Sequence, residues 1–230
     1  MRRFFSLVNK TPLTRMLFIE ISAGLIVNIA VLLLFLFLTQ DVLEKETRSF
    51  DLAASNFIYA LRTPALTVIM STVTNLAAIP SGFALSLLVV LLLLKHHKKE
   101  SLVFSLALVF GGALNYYLKI FFKLPRPDLS PLVVLGDFTY PSGHAMNNLV
   151  LYGLLTYYAF HFTKSKALSM VAGGLASGWI LLIGLSRVYL GAHYPSDVLA
   201  GYLAGFWWLL TVLLIDKTIS LSKEARKFHE

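Results

Sequence analysis

The chain of 230 residues contains no cysteine, which excludes disulfide scaffolds, thiolate metal sites and cysteine nucleophiles. Charge is scarce as well. Asp, Glu, Lys and Arg make up 14% of the residues, where a soluble domain carries roughly 25%. That deficit excludes a disordered tail or a nucleic-acid-binding arm, in spite of a net charge of +8. The chain is instead 57% hydrophobic, with a mean hydropathy of +0.73, against about 45–50% apolar residues in a soluble protein. These values describe an integral membrane protein, in which Lys and Arg collect in cytoplasmic loops and orient the chain.

A crossing helix needs about 20 mostly apolar residues. The pattern predicts an all-α, polytopic protein with six transmembrane helices at about 17–39, 75–94, 101–121, 143–162, 168–188 and 196–215. The first half of Thr63–Leu94 is rich in Ser, Thr and Asn, so that stretch is assigned one span. Between the first two spans, Phe50, Ala53, Ala54, Phe57, Ile58 and Leu61 recur with helical spacing, which predicts a short amphipathic helix lying in the interface. The N-terminal run is too long for a signal peptide and ends without a small-residue cleavage site. No repeat, low-complexity segment or long linker divides the chain, so 1–230 reads as a single transmembrane domain. Of the 20 Lys and Arg, 13 fall on the side of the termini and 7 opposite, which predicts both termini in the cytoplasm.

The charges on the opposite side converge. Lys119 closes the third predicted helix and Arg126 follows it. His144 opens the fourth in Pro141-Ser142-Gly143-His144, Arg187 closes the fifth, and His193 and Asp197 open the sixth. Ends of odd helices and starts of even ones share one membrane face, where ionisable groups are costly and read as functional. Three neighbouring cations repel one another unless an anion sits among them, and the guanidinium fork suits phosphate. Ser142 is a suitable N-cap, the helix dipole behind it favours an anion, and Gly143 admits a close approach to the backbone. The two histidines then supply a nucleophile and an acid. Pro195 suits a first helical turn, which puts Asp197 beside the His193 imidazole; His193 is therefore the better nucleophile and His144 the better acid.

Lys119-x6-Arg126-Pro127, Pro141-Ser142-Gly143-His144 and Ser186-Arg187-x5-His193-x3-Asp197 resemble the three signature blocks of the type 2 phosphatidic acid phosphatase superfamily, which also includes the vanadium-dependent haloperoxidases. The resemblance implies a six-helix fold and hydrolysis of a lipid phosphate through a phosphohistidine, with no metal and no cofactor. It implies His193 as nucleophile, Asp197 as its partner and His144 as acid. Lys119, Arg126, Ser142, Gly143 and Arg187 would hold the phosphate.

Taken alone, Lys119 and Arg126 read as snorkelling interfacial residues; the histidines and Arg187 at the same level argue otherwise. Zinc at His144, His193 and Asp197 would be opposed by the three cations. Asp128 and Asp137 read as loop residues, and His96, His97, His161 and His229 as solvated groups on the cytoplasmic side. Gly174-x3-Gly178 and Gly201-x3-Gly205 read as helix-packing spacings that set no oligomeric state.

The leading expectation is a lipid phosphatase or diphosphatase of a bacterial cytoplasmic membrane, with its site at the periplasmic or extracellular face. Its partners are the phospholipid bilayer and a lipid phosphate, with no nucleic acid. Candidate substrates are undecaprenyl diphosphate, phosphatidylglycerophosphate, phosphatidic acid and lipid A 1-phosphate. The diphosphate is favoured by its leaving group and by Lys123 nearby. Lipid-to-lipid phosphotransfer is the enzymatic alternative. An anionic-lipid transporter or flippase is the alternative from another class, although no inverted repeat is visible.

Overall fold

The computed structural model describes residues 12–127, 131–133, 136 and 138–227. Asp128, Asp137 and His229 lie outside the described residues. Every regular element among the described residues is a helix: α1 Pro12–Leu43, α2 Arg48–Ala60, α3 Pro64–Leu76, α4 Ile79–Leu94, α5 Lys98–Phe122, α6 Gly143–Thr163, α7 Lys166–Tyr189 and α8 Pro195–Lys227. The segment between α5 and α6 carries an isolated bridge, Pro125 to Phe138.

Each predicted span corresponds to a helix, but length and composition qualify fewer of them as crossings. Four are long and apolar enough: Ile19–Leu43 in α1, Lys98–Phe122, Lys166–Tyr189 and Pro195–Ser220 in α8. The pair α2 and α3 passes only jointly and is bent by 120°. By length and composition, four crossings qualify among the described residues, or five with that pair, against the six expected. The reason lies in α4 and α6. The first is only 16 residues long. The second buries Asn148 and carries Asn147 and His144, because it is packed on several sides by protein.

The polar stretch before α4 is helical. Thr63 caps α3 by accepting the Leu66 N–H (3.2 Å), and Pro64 occupies the first turn, where its missing N–H costs nothing. Its hydroxyls find partners: Thr67 with Tyr189 Oη (3.0 Å), Thr72 with Val68 O (2.9 Å) and Thr74 with Arg187 (2.7 Å). Met70 packs with Tyr189 and Leu190, and Val73 and Ala77 with Ile183. The amphipathic helix α2 has its polar face inward. Asp51 and Ser55 are buried, whereas Phe50 and Phe57 are 53% and 70% exposed, the reverse of a soluble surface helix.

One core joins α4, α5, α6 and α8 through Leu93, Phe104, Ala107, Val150, Leu154 and Leu209. Helix α8 meets α6 at its small residues: a Cβ on Gly201 would lie 2.6 Å from Ser142 O, and one on Gly205 2.7 Å from Met146 O. A Cβ on Gly174 or Gly178, read as the same kind of motif, would meet nothing within 4 Å among the described residues. Helix α1 is held to α8 by Asn28, whose Nδ2 donates to Trp207 O (3.0 Å) and Thr211 Oγ1 (2.9 Å).

Candidate functional site

The ends of α5 and α7, the starts of α6 and α8 and the segment before α6 meet around one cavity of about 850 Å³. Lys119, Arg126, Gly143, His144, Arg187 and His193 line it. Ser142 and Asp197 stand directly behind, 0% and 2% exposed. All eight residues named from the sequence thus come together, six on the wall and two supporting it.

Local structure explains each placement. Lys123 adopts a left-handed conformation at the C-cap of α5 (φ 50°) and turns the chain, so that Arg126 folds back over the end of the helix. Ser142 caps α6, its Oγ accepting the Ala145 N–H (3.4 Å), and its own N–H donates to Asp197 O (3.0 Å). The starts of α6 and α8 are joined by that bond. Gly143 is required by packing as well as by access, since a Cβ there would lie 2.7 Å from Asn115 Oδ1. Asn115 in turn donates to Pro141 O (3.3 Å).

The cations are tethered by neutral oxygens. Lys119 Nζ donates to the carbonyls of Phe138 (3.1 Å) and Thr139 (2.8 Å). Arg126 donates through Nε to Gly136 O (2.5 Å) and through Nη1 to Ala192 O (2.8 Å). Arg187 Nη1 donates to Thr74 Oγ1 (2.7 Å), while its buried Nε has no hydrogen-bond partner among the described residues. These bonds aim the cations without neutralising them, which leaves net positive charge for an anion.

Between His193 and Asp197 stands a residue that sequence spacing did not single out. The direct His193 Nδ1 to Asp197 Oδ2 distance is 3.5 Å, too long for a good hydrogen bond. Thr139 Oγ1 donates to Asp197 Oδ2 at 2.5 Å and lies 3.0 Å from His193 Nδ1. With its proton given to the carboxylate, the hydroxyl accepts from Nδ1–H. Asp197 also accepts the Tyr194 N–H (2.9 Å). The tautomer is therefore set through Thr139, not by the carboxylate directly, and Nε2 is left as a lone pair 3.5 Å from Arg126 Nη1. Burial, reinforced by the positive charges of Lys119, Arg187 and Arg126, holds His193 well below the ordinary imidazole range, so it is neutral at neutral pH. Thr139 and Thr74 were missed because a threonine with a reactive partner looks like any other in the sequence; the Thr139-Tyr140 pair just ahead of Pro141 was the available signal.

The cavity continues away from these groups between α4 and α5, along Phe83, Leu87, Val90, Leu108 and Val109. One end is thus cationic and the other apolar. Among the described residues, no group of three or more His, Asp and Glu side chains is arranged to hold a metal ion.

The chain resembles known membrane phosphatases in sequence and in fold. The chain is 33% identical to phosphatidylglycerophosphatase B of Bacillus subtilis over 199 residues, covering 83% of this chain and 95% of that protein. It is 30% identical to an undecaprenyl-diphosphatase of Sulfolobus acidocaldarius over 145 residues, 58% of this chain and 63% of the relative. The fold matches the crystal structure of a transmembrane PAP2 type phosphatidylglycerolphosphate phosphatase from Bacillus subtilis with a TM-score of 0.78 and 29% identity, over 84% of this chain and 96% of that one. The family model of the PAP2 superfamily matches residues 100–220, the stretch that runs from α5 through the cationic cavity into α8, and the chain belongs to that superfamily.

Proposed function

We propose that this integral membrane hydrolase of lipid phosphates removes the terminal phosphate of its substrate through a covalent phosphohistidine at His193. The supporting observation is the His193 imidazole itself. Its Nδ1–H is held by Thr139, so that Nε2, which keeps its lone pair beside Arg126 Nη1, borders a cavity lined by three cations. A phosphate seated there would bridge Lys119, Arg126 and Arg187, with Arg187 Nε supplying an unused donor. The N–H groups opening α6 would add the pull of the helix dipole.

In the first step Nε2 attacks phosphorus, the bond from phosphorus to the leaving oxygen breaks, and His144 gives that oxygen a proton. The imidazolium keeps its Nδ1–H, and the Thr139–Asp197 pair stabilises its charge. In the second step water attacks phosphorus, His144 takes a proton from it, the P–N bond breaks and inorganic phosphate leaves. The three cations offset charge on the equatorial oxygens in both steps.

The leading substrate is phosphatidylglycerophosphate, as the similarity to phosphatidylglycerophosphatase B extends over 83% of the chain. Undecaprenyl diphosphate is the second reading, supported by the shorter match to an undecaprenyl-diphosphatase. Lys123, the expected contact for a second phosphate, is exposed and is not among the residues lining the cavity, which lowers the case for a diphosphate. The apolar length of the cavity suits an acyl or prenyl chain, with about 0.8 kcal/mol gained per buried CH₂.

We read residues 1–230 as one domain with six crossings, both termini in the cytoplasm and the site at the opposite face of a bacterial cytoplasmic membrane. The 21 residues of α6 span about 31 Å at 1.5 Å per residue, enough for the hydrocarbon core, and α3 adds depth beside the short α4. The 13-to-7 distribution of Lys and Arg supports the orientation.

Phosphate release by purified protein from phosphatidylglycerophosphate, undecaprenyl diphosphate, lipid A and a soluble sugar phosphate tests the assignment. The expected order places the soluble ester last, and a preference for it would overturn the lipid reading. A His193→Ala protein should release no phosphate and trap no alkali-stable, acid-labile phosphoryl group. Normal turnover by that variant would refute the covalent step.

A further inference from the structure

Helix α2 carries a carboxylate that the reaction does not use. Asp51 is 4% exposed and belongs to a helix whose Phe50 and Phe57 face outward. Its Oδ1 accepts the backbone N–H of Ser196 (2.9 Å) and its Oδ2 accepts the Ser196 hydroxyl (2.7 Å). Ser196 is itself 2% exposed and stands in the first turn of α8, directly before Asp197. Both oxygens of one carboxylate are therefore spent on one residue at a helix start that has unsatisfied N–H groups and the positive end of the dipole. This is an N-cap supplied from 145 residues away.

The same short helix pair holds the neighbouring chain at further points. Arg62 donates through Nε and Nη2 to Tyr189 O (2.9 and 2.7 Å), at the end of α7, and Thr74 of α3 accepts from Arg187. The α7–α8 connection, Leu190 to Tyr194, is thus gripped at both ends by α2 and α3. His193 sits inside it, and its imidazole must keep Nε2 turned to the cavity.

We propose that Asp51 is a positioning residue: by capping α8 through Ser196 it fixes the turn that carries His193 and Asp197. This rests on the reading of His193 as nucleophile. Lys119 is held by the carbonyls of Phe138 and Thr139 and Arg187 by Thr74, outside that turn, and Arg126 keeps its bond to Gly136 O. Loss of the cap therefore disturbs the attacking geometry while leaving most of the phosphate cradle in place. An error of about 1 Å in a reacting group costs on the order of a hundredfold in rate.

The test measures phosphate release from phosphatidylglycerophosphate, KM and inhibition by vanadate, in wild type and in Asp51→Ala, Asp51→Asn and Ser196→Ala. Asp51→Ala should lower kcat about ten- to a hundredfold per folded molecule, with KM and the vanadate inhibition constant within about twofold. Asp51→Asn keeps an acceptor for the Ser196 N–H and places an amide donor against the hydroxyl, so it should recover most of kcat. Ser196→Ala retains the backbone bond and should fall between the two, which keeps the proposal testable if Asp51→Ala does not fold. A kcat within twofold of wild type in Asp51→Ala and Ser196→Ala, or a failure of Asn to rescue, overturns the positioning role. So does a parallel loss of vanadate binding, which would mark a general structural role. A wild-type protein that releases no phosphate from any lipid would instead sink the functional reading on which this one stands.

Discussion

At the scale of single residues, the arrangement turns on who holds the His193 proton. Thr139 interposes its hydroxyl between Nδ1 and Asp197, so replacing it by valine keeps the volume but removes both bonds. Thr139→Val should cut kcat by about ten- to a hundredfold with little change in KM, and an unchanged kcat would show that Asp197 reaches the ring unaided. Protonation offers a second check. Because the native His193 pKa is depressed, the native protein binds fewer protons than the unfolded chain below about pH 6.5. Stability is therefore full above that pH and declines as pH falls toward the native value. The acid limb of kcat/KM should accordingly lie below pH 6.5 in the free enzyme, and a bound phosphate should raise the pKa by offsetting the cations. NMR titration of His193 with and without vanadate measures both shifts. The cation cluster also predicts insensitivity to EDTA, because Lys119, Arg126 and Arg187 already supply the positive charge a divalent ion would bring. Loss of turnover in EDTA restored by zinc would reverse that assignment.

At the scale of elements, close helix approach decides which glycines matter. Gly205 of α8 lies against the Met146 backbone of α6, where a Cβ would come to 2.7 Å. Backbone cannot swing aside, so Gly205→Ala should destabilise the protein by about 1–3 kcal/mol, read as a lower midpoint of thermal unfolding in detergent. Gly174→Ala, at a position with nothing within 4 Å, should leave that midpoint unchanged. The two Gly-x3-Gly spacings are identical in the sequence, and only the neighbouring helix distinguishes them. The same limit applies to α2 and α3. Periodicity located the amphipathic α2 and its apolar face, but it could not say that the opposite face is sealed by Ser196. Nor could Thr67 and Thr74 of α3 announce that their hydroxyls would pair with α7, since partners more than a hundred residues away leave no local trace.

For the whole molecule, orientation has a direct readout. A cysteine at Ser165, between α6 and α7, should resist an impermeant thiol reagent in intact cells, whereas one at Glu46, between α1 and α2, should react; the absence of native cysteine makes the background clean. The opposite pattern would invert the topology. What the sequence determined by itself was the solvent, the helical class and the phosphatase family. Apolar composition demands a bilayer, backbone groups in a bilayer demand helices, and the spacing of Lys119, Arg126, His144, Arg187 and His193 at predicted helix ends led to the expectation that they meet. The tertiary structure decided what depends on partners distant in the chain. It put Thr139 between imidazole and carboxylate, turned the polar side of α2 inward, and drew the apolar cavity between α4 and α5. It also buried Asn148 of α6 inside the packed bundle, where its Nδ2 donates to Ala77 O (3.0 Å).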